Sequence, residues 1–274
     1  MKHLLAIFLI GVSCFLLACG DDEATEHYDR GLVYWEQGEQ FAAIAEWEHA
    51  VPTLIEKLRD EDGEVRAYAA FILGRIDEEA AEDAVDALIE ALKDEHWQVR
   101  QGVASTLGKI GNDNTVPALI RAVRDENVQV RMSAIHALAR IGDDTAIPVL
   151  IEALRDENAN VRSSAAFVFV GFGKRAKNAV VPALVEALRD ENVAVRANTA
   201  YALTQVYDST AVAALIEVLK DEHWKVRYHA AFALGRIGDS RAIPALKDAL
   251  RDEHNLVRKN VAEALKQIGT PEEN

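Results

Sequence analysis

A fixed internal period constrains the fold of this chain more than any other feature. Seven times along its 274 residues an Asp is followed five positions later by Val and six positions later by Arg, and the intervals between successive Arg residues are 34, 31, 31, 34, 31 and 31. A period of about 20 to 50 residues is typical of a solenoid, in which each unit buries its apolar face against the next unit. The sequence therefore predicts one stacked array, because an open array grows without needing a second core.

Each period contains the pattern of two helices. From Thr145 to Arg155 apolar residues recur every three or four positions, and Pro148 suits the first helical turn, where its missing N–H is not needed. Asn158 is a good N-cap for a second helix, which the spacing predicts over Val161 to Phe172. We therefore predict an all-α chain of helix–turn–helix repeats.

A set of Pro, Asp, Val and Arg, with spacings of eight, five and one residues, recurs in five of the seven repeats. This set resembles the HEAT repeat, in the short variety found in phycobilin lyases, deoxyhypusine hydroxylases and many bacterial scaffolds. The resemblance implies a right-handed α-solenoid of about seven two-helix repeats. Asp86 and Ala213 replace the Pro in the other two repeats, which weakens only the start of those first helices. The five sets are Pro52/Asp60/Val65/Arg66, Pro117/Asp125/Val130/Arg131, Pro148/Asp156/Val161/Arg162, Pro182/Asp190/Val195/Arg196 and Pro244/Asp252/Val257/Arg258.

The same resemblance implies that the repeated Asp and Arg form a ladder of hydrogen bonds from repeat to repeat. A carboxylate and a guanidinium that face each other in a partly dry seam form a bidentate, charge-assisted pair. We assign this ladder to stability rather than to catalysis. Its predicted members are Asp60, Arg66, Asp94, Arg100, Asp125, Arg131, Asp156, Arg162, Asp190, Arg196, Asp221, Arg227, Asp252 and Arg258.

The first residues are typical of an exported protein. A basic start is followed by a 14-residue apolar run that ends in Leu16-Leu17-Ala18-Cys19. This resembles the lipobox of bacterial lipoproteins, which implies cleavage before Cys19 and lipid on that residue. A transmembrane anchor and an ordinary cleaved signal are the alternatives, but the run is shorter than the about 20 residues that cross a bilayer.

The predicted organisation follows from these patterns. Gly31, Tyr34, Gly38, Ala43, Trp47 and Ala50 have the offsets of one tetratricopeptide repeat, and the alternative is a plain hairpin that caps the first HEAT face. The segments are a signal peptide at 1–18, a lipidated tether at 19–25, a tetratricopeptide-like capping hairpin at 26–50, the solenoid at 51–269 and a tail at 270–274.

Charge and the N-terminus together limit the partners and the location. The formal net charge is −15, so nucleic acid is not expected as a partner, and the lipid on Cys19 rather than charge would attach the chain to a membrane. Gly20 stands where some bacteria have the Asp that retains lipoproteins at the inner membrane. We therefore expect the bacterial cell envelope, and the periplasmic face of the outer membrane where two membranes exist.

Function is expected on the second helix of each repeat, on the face opposite its Val, Ala and Leu seam. In HEAT arrays this face lines the concave groove, so the resemblance implies an aromatic stripe, flanked by cations, that binds a protein or peptide. The alternative is that the rings pack between neighbouring helices as core or, for the two Trp residues, on the turn of the adjacent repeat. The predicted groove residues are Tyr68, Phe71, Arg75, Trp97, His136, Arg140, Phe167, Tyr201, Trp224, Tyr228, His229, Phe232 and Arg236.

An enzyme is the less favoured interpretation. Deoxyhypusine hydroxylases carry His-Glu pairs for iron on the second helix, and this chain has none there. Only His136 and His229 occupy groove positions, whereas a metal site needs several converging ligands. A phycobilin lyase-like or other small-molecule-binding protein is the alternative, because an aromatic groove could hold a tetrapyrrole. We expect a non-catalytic scaffold for a protein or peptide, with no catalytic residue, no cofactor and no metal.

Overall fold

The computed structural model describes residues 23–111 and 113–269, and this part of the chain contains helices and turns but no strand. A hairpin of α1 (Glu23–Glu36) and α2 (Gln40–Glu48) precedes seven two-helix repeats, so the predicted α-solenoid is confirmed. The first helices of the repeats are α3 (Val51–Lys57), α6 (Val85–Ala91), α8 (Val116–Ala122), α10 (Ile147–Ala153), α12 (Lys177–Ala187), α14 (Val212–Val218) and α16 (Ile243–Ala249). The second helices are α4 (Gly63–Leu73), α7 (Trp97–Ile110), α9 (Val128–Ile141), α11 (Ala159–Phe172), α13 (Val193–Val206), α15 (Trp224–Ile237) and α17 (Asn255–Gly269).

Capping residues set the ends of the second helices. The side chains of Asn127 and Asn158 each accept a hydrogen bond of 2.9 Å from the backbone N–H two residues later, which confirms the predicted N-cap at Asn158. At the other end, Gly111 and Gly142 have φ of 70° and 74°. Glycine adopts this left-handed conformation without a steric penalty, so each helix stops there and the chain turns into the next repeat.

The core is one continuous seam of small and branched apolar side chains. In repeat 2, for example, Val99, Val103 and Leu107 are fully buried. The second helices of neighbouring repeats pack against one another along their length, whereas the first helices of neighbouring repeats contact each other much less. The second helices therefore form the layer through which the repeats stack, and the side of this layer away from the first helices is here called the concave face, after the groove expected of such an array.

Two glycines let second helices approach each other closely. A Cβ atom on Gly108 would lie 2.5 Å from the Cα of Ala137, and one on Gly235 would lie 2.8 Å from the Cα of Ala264. Both distances are well inside van der Waals contact. Only glycine allows the helices of repeats 2 and 3, and of repeats 6 and 7, to pack at this separation.

Each of the two 34-residue intervals contains additional helix. In the first, the short helix α5 (Glu78–Ala81) precedes repeat 2. In the second, the first helix of repeat 5 begins about a turn early, so Pro182 lies inside α12, whereas Pro148 lies in the first turn of α10. The longer period thus changes the connections and leaves the stacking of the second helices intact.

The N-terminal hairpin covers the first repeat. The Trp47 ring is fully buried and lies directly against Gly31, where a larger residue would overlap it. Helix α1 also packs on α3, and the rings of Trp35 and Phe71 meet edge to face at 5.9 Å. The apolar end of the array is therefore shielded from water, as a capping element requires.

The predicted signal peptide, Cys19 and the tail at 270–274 lie outside the described residues. Helix α1 begins at Glu23, so residues 23–25, which the sequence assigned to the tether, belong to the hairpin. Between residues 23 and 269, apart from the undescribed position 112, no helix is long and apolar enough to cross a membrane.

Candidate functional site

The turns between the first and second helices form one edge of the array, here called the turn edge. They run from Asp60–Glu61 in repeat 1 to Asp252–Glu253 in repeat 7. Along this edge, Arg100 donates from Nε and Nη2 to both carboxylate oxygens of Asp125, at 2.7 and 2.8 Å. Its Nη1 donates to the carbonyls of Asp94 and Glu95, at 2.7 and 3.1 Å. One Arg thus binds its own turn and the next repeat together.

The same arrangement recurs along the described repeats. The inter-repeat pairs join Arg66 to Asp94, Arg100 to Asp125, Arg131 to Asp156, Arg162 to Asp190, Arg196 to Asp221 and Arg227 to Asp252. At Arg131, Nη2 donates to Asp156, while Nε lies 2.8 Å from that carboxylate without the alignment of a hydrogen bond. The last member, Arg258, donates to the carbonyls of Asp252 and Glu253, and no repeat in the described part of the chain follows it.

These contacts stabilise the charged form of three Asp residues on the turn edge. Burial raises the pKa of Asp94, but hydrogen bonds from Arg66 and from the backbone N–H of His96 outweigh it and lower that pKa below its ordinary value of 3.8. The pKa values of Asp190 and Asp252 are lowered in the same way. These three carboxylates are therefore ionised at neutral pH and paired with an Arg of the preceding repeat, so they hold neighbouring repeats together.

The predicted groove residues lie on the concave face or at its margins. Phe71 and Phe167 are 38% and 49% exposed, although the residues before and after them in the same turns are largely buried. Other exposed members are Arg75, Trp97, His136, Arg140 and Arg236. The half-buried members are Tyr68, Tyr201, Trp224, Tyr228, His229 and Phe232.

One aromatic cluster lies where the hairpin meets repeat 1. Tyr68 and Phe71 stack with ring centroids 5.9 Å apart, and the guanidinium of Arg75 lies 4.9 Å from the Phe71 ring and 5.7 Å from that of Trp35. Burial, followed by the nearby charge of Glu36, raises the pKa of Tyr68 to about 12. The hydroxyl therefore stays neutral, and this cluster presents an apolar surface edged by one cation.

A second aromatic cluster lies in repeats 4 to 6. Phe167 and Tyr201 stack at 6.3 Å, and His229 lies 5.2 Å from both Tyr201 and Tyr228. Burial, followed by the charge of Lys225, lowers the pKa of His229. The imidazole is thus neutral at pH 7 and behaves as part of the aromatic surface.

The aromatic stripe predicted from the sequence is divided into these two clusters. Repeats 2 and 3 place Ser105 and His136 at the position that Phe71 and Phe167 occupy, and both are exposed. Lys109, nearby on the same face, donates to the carbonyl of Gly74 at 2.7 Å. The middle of the groove is therefore polar, with an aromatic patch on either side.

The two Trp residues lie at the turn edge rather than along the groove floor. The indole of Trp224 stacks almost parallel on the imidazole of His254 in the next repeat, with centroids 4.1 Å apart. For Trp224, the sequence left two alternatives, a place in the groove or packing on the turn of the adjacent repeat, and the second is observed. Trp97 is 39% exposed. The residue of the next repeat that corresponds to His254 is Asn127, which has no ring for Trp97 to stack on.

The opposite edge of the array, here called the loop edge, is where the second helices end. Tyr207 lies there at the end of α13, with its ring 4.8 Å from Lys174 Nζ and 4.7 Å from the guanidinium carbon of Arg236. Sequence reasoning missed Tyr207 and Lys174. The signal for Tyr207 was its alignment with Gly111, Gly142 and their equivalents, because a Tyr at a helix-ending glycine position is a departure from the repeat.

Neither a metal cluster nor an enclosed cavity stands out in the described residues. No group of three or more His, Cys, Asp or Glu within them is arranged to hold a metal ion. An open hollow of 650 Å³ lies between α2 and the connection after repeat 1, lined by Phe41, Ile44, Glu48, Arg75 and residues 76–79. It is shallow and carries mixed charge, so the concave face with its two clusters is the stronger candidate for binding.

Comparison with known proteins identifies the repeats. The family model for HEAT repeats matches residues 51–122, 85–169, 157–224 and 212–273. No curated protein matches the sequence.

Solved structures give the same fold. The Escherichia coli protein YibA is 21% identical, with 93% of this chain and 99% of that chain covered and a TM-score of 0.66. The CpcE–CpcF complex of phycocyanin lyase from Nostoc sp. PCC7120 is 25% identical, with 80% and 94% covered and a TM-score of 0.51. Kap95p, in a structure with RanGDP, is 15% identical, with 89% and 39% covered and a TM-score of 0.66. Since the matched segments span most of the chain, this protein belongs to the HEAT-repeat family.

Proposed function

We propose that this protein is a non-catalytic scaffold, anchored to a bacterial membrane by lipid, that binds a protein or peptide on its concave face. The observation that carries the proposal is the exposure of Phe71 and Phe167 on second helices whose neighbouring residues are buried. Aromatic rings with Arg beside them are the usual anchors of protein interfaces. Arg75 and Arg236 both lie against aromatic rings on this face.

The aromatic rings are not required for stacking the repeats. Repeats 2 and 3 stack with Ser105 and His136 at the position of Phe71 and Phe167. An exposed Phe at that position therefore adds a recognition surface that a purely structural repeat does without. An aromatic patch on a solvent-exposed face is typical of an interaction site.

Membrane attachment rests on the resemblance of residues 16–19 to a lipobox. If Cys19 is lipidated, only three residues separate it from the first described helix at Glu23. Three extended residues span about 10 Å, so the hairpin would be held close to the lipid. We place the protein in the cell envelope, at the periplasmic face of the outer membrane where two membranes exist. Replacing Cys19 with Ser should abolish incorporation of radiolabelled palmitate, and incorporation that persisted would contradict the anchor.

Site-specific photo-crosslinking in cells tests the groove. A photoreactive phenylalanine analogue would replace Phe167 in the full-length protein, and Pro148, which is exposed on a first helix, would receive the same analogue as the control. We expect a discrete adduct from position 167 and none from position 148. Identical adducts from both positions, or none from 167, would contradict binding in the groove.

A phycobilin lyase-like or other small-molecule-binding role is the second candidate. It is favoured by the similarity to the CpcE–CpcF complex of phycocyanin lyase, which covers 94% of that chain, and by the aromatic cluster of repeats 4 to 6. Protein purified from its native host distinguishes the candidates. A visible absorbance band that is lost on substituting Phe167 and Tyr201 with Ser would favour the small-molecule role over the scaffold.

A further inference from the structure

We infer that the loop edge of repeats 4 to 6 carries a subsite for a carboxylate of an acidic peptide, formed by Lys174, Tyr207 and Arg236 beside the Phe167–Tyr201 pair. This inference rests on the proposed function, because it names the chemistry of the segment that the groove would bind. It is carried by three independent features of this region: an unusual backbone conformation, cations without a carboxylate partner, and open space above the helix of repeat 4.

The backbone of Tyr207 has a conformation that other side chains avoid here. Its φ is 53°, and no other residue except glycine has a positive φ within residues 23–111 and 113–269. In repeats 3, 4 and 6 the same position is Gly142, Gly173 and Gly238, all with positive φ. The left-handed conformation is unfavourable for any residue with a Cβ, because that atom approaches the following carbonyl oxygen. A Tyr at this place is therefore unfavourable for the fold, and its ring must contribute something that glycine cannot.

The Tyr207 ring contacts two cations from different repeats. Lys174 comes from the connection between repeats 4 and 5, and Arg236 comes from the second helix of repeat 6, yet both lie within 4.8 Å of the Tyr207 ring centroid. An aromatic face attracts cations through its quadrupole but does not neutralise them. The two charged groups therefore lie at most about 9.5 Å from one another, and an anion at this edge of the ring would be attracted by both.

The acidic groups nearby are committed to other partners. Asp208 lies 3.3 Å from Lys177 Nζ, and Asp239 lies 2.6 Å from a guanidinium nitrogen of Arg241. Within the described residues neither Lys174 nor Arg236 has a carboxylate within 4.0 Å. In a chain of net charge −15, two exposed cations on one ring without an acidic partner are available to an external carboxylate.

Gly171 leaves room for the rest of the ligand. It lies one helical turn after Phe167 on the same face, at the position where repeats 3 and 6 have Arg140 and Arg236, and no atom lies within 4 Å of a Cβ built there. The space above Gly171 is bordered by the exposed ring of Phe167. An apolar or aromatic residue can lie in this space while a neighbouring acidic residue reaches the cations.

The spacing of the helices fits an extended peptide. Packed helices lie about 8 to 10 Å apart, and one three-residue turn of a polyproline II chain spans about 9 Å with residues three apart on the same side. A segment in this conformation that crosses the second helices would therefore present an apolar residue to repeat 4 and an acidic residue three positions away to repeat 5, or six positions away to repeat 6. The expected ligand is an acidic peptide segment with one aromatic or large apolar residue.

Peptide selection on the purified full-length protein tests this subsite. A random 12-residue peptide library displayed on phage would be panned on the wild type. Each selected peptide would then be synthesised as it is and with one acidic residue at a time replaced by its amide, Asp by Asn or Glu by Gln. We expect one acidic position at which the amide form binds the wild type at least tenfold more weakly by fluorescence anisotropy. The double variant K174Q/R236Q should reduce that discrimination to less than twofold.

Two further variants separate the subsite from general charge and from folding. R59Q/R121Q removes two exposed cations near or on first helices, so it changes the net charge equally and should keep the tenfold discrimination. Y207G installs the residue of the sister repeats, should keep the fold by circular dichroism and should weaken the same peptides.

The outcomes distinguish the subsite from the groove itself. Peptides that bind the groove but respond equally to acid and amide forms would overturn the subsite and leave the scaffold intact. A discrimination lost equally in R59Q/R121Q would overturn it as well, since net charge alone would then explain the binding. Failure to select any peptide, together with no crosslink from position 167, would contradict the proposed function from which the subsite follows.

Discussion

The two edges of the solenoid use the same residue types in opposite ways. At the turn edge, Arg residues such as Arg100 and Arg196 are buried and bound to an Asp of the next repeat and to carbonyls of their own turn. At the loop edge, Lys174 and Arg236 are exposed and lie against an aromatic ring. The first arrangement satisfies each charge inside the molecule, whereas the second leaves charge available to a partner.

This difference separates what every repeat needs for stacking from what single repeats add. The turn edge repeats almost without change, because an error in one repeat disturbs the interface with the next. The loop edge and the concave face differ from repeat to repeat, as Phe167, Gly171 and Tyr207 do. In a repeat protein the regular residues hold the stack, and the departures from the period are the candidates for recognition.

The largest expected effect comes from removing one buried cation of the turn edge. Arg196→Met removes the Arg donor from Asp221, which keeps only the backbone N–H of His223, and from two carbonyls, and breaking a buried pair in this way costs about 3 to 5 kcal/mol. Arg258→Met is the matched control, because Arg258 is exposed and donates only to carbonyls, so its loss should cost less than about 1 kcal/mol. Urea unfolding followed by circular dichroism measures both. Equal losses would mean that the inter-repeat pair contributes little.

Two glycines on second helices provide the next test. Gly108→Ala places a methyl group 2.5 Å from the backbone of Ala137, and the overpacking should destabilise the protein by about 1 to 3 kcal/mol. Gly171→Ala meets no atom within 4 Å, so the higher helix propensity of Ala should stabilise it by up to about 1 kcal/mol. Thermal unfolding of the two variants should therefore shift in opposite directions. A gain at both positions would show that the helices around Gly108 can separate freely.

The sequence predicts the regular part of this molecule well and the irregular part poorly. The period and the capping residues are local signals, so the helices and the end of α9 at Gly142 follow directly from them. The exposure of Phe167 does not, because helical phase gives the face of a residue but not how far neighbouring helices cover it. The contact between Trp35 and Phe71 was also missed, since it depends on how the hairpin docks onto repeat 1.

Acid should destabilise the protein by protonating Asp residues of the turn edge. The folded-state pKa values of Asp94, Asp190 and Asp252 lie below the ordinary 3.8, so these groups stabilise the fold above that pH, and the contribution is lost as pH falls through the folded values. The urea midpoint should therefore fall steeply below about pH 4. Asp94→Asn removes one of these groups and should show a shallower fall. Glu56→Gln, at an exposed position of α3 outside the Asp and Arg ladder, is the control and should keep the wild-type slope. An unchanged slope in Asp94→Asn would contradict the assignment.

The smallest expected effect on stability is at the loop edge, where we expect the largest effect on binding. Lys174→Gln/Arg236→Gln removes two exposed charges that satisfy no buried group, and the loss of their cation–π contacts is offset in part by relief of the repulsion between them, so the free energy of unfolding should change by less than about 1 kcal/mol. The same substitutions should reduce the yield of the adduct formed at position 167, because a carboxylate of the partner would lose both of its donors. Arg196→Met, studied at a temperature where it is still folded, should form that adduct normally. If the loop-edge variant were instead as unstable as the ladder variant, Lys174 and Arg236 would belong to the framework of the stack rather than to a surface that recognises a partner.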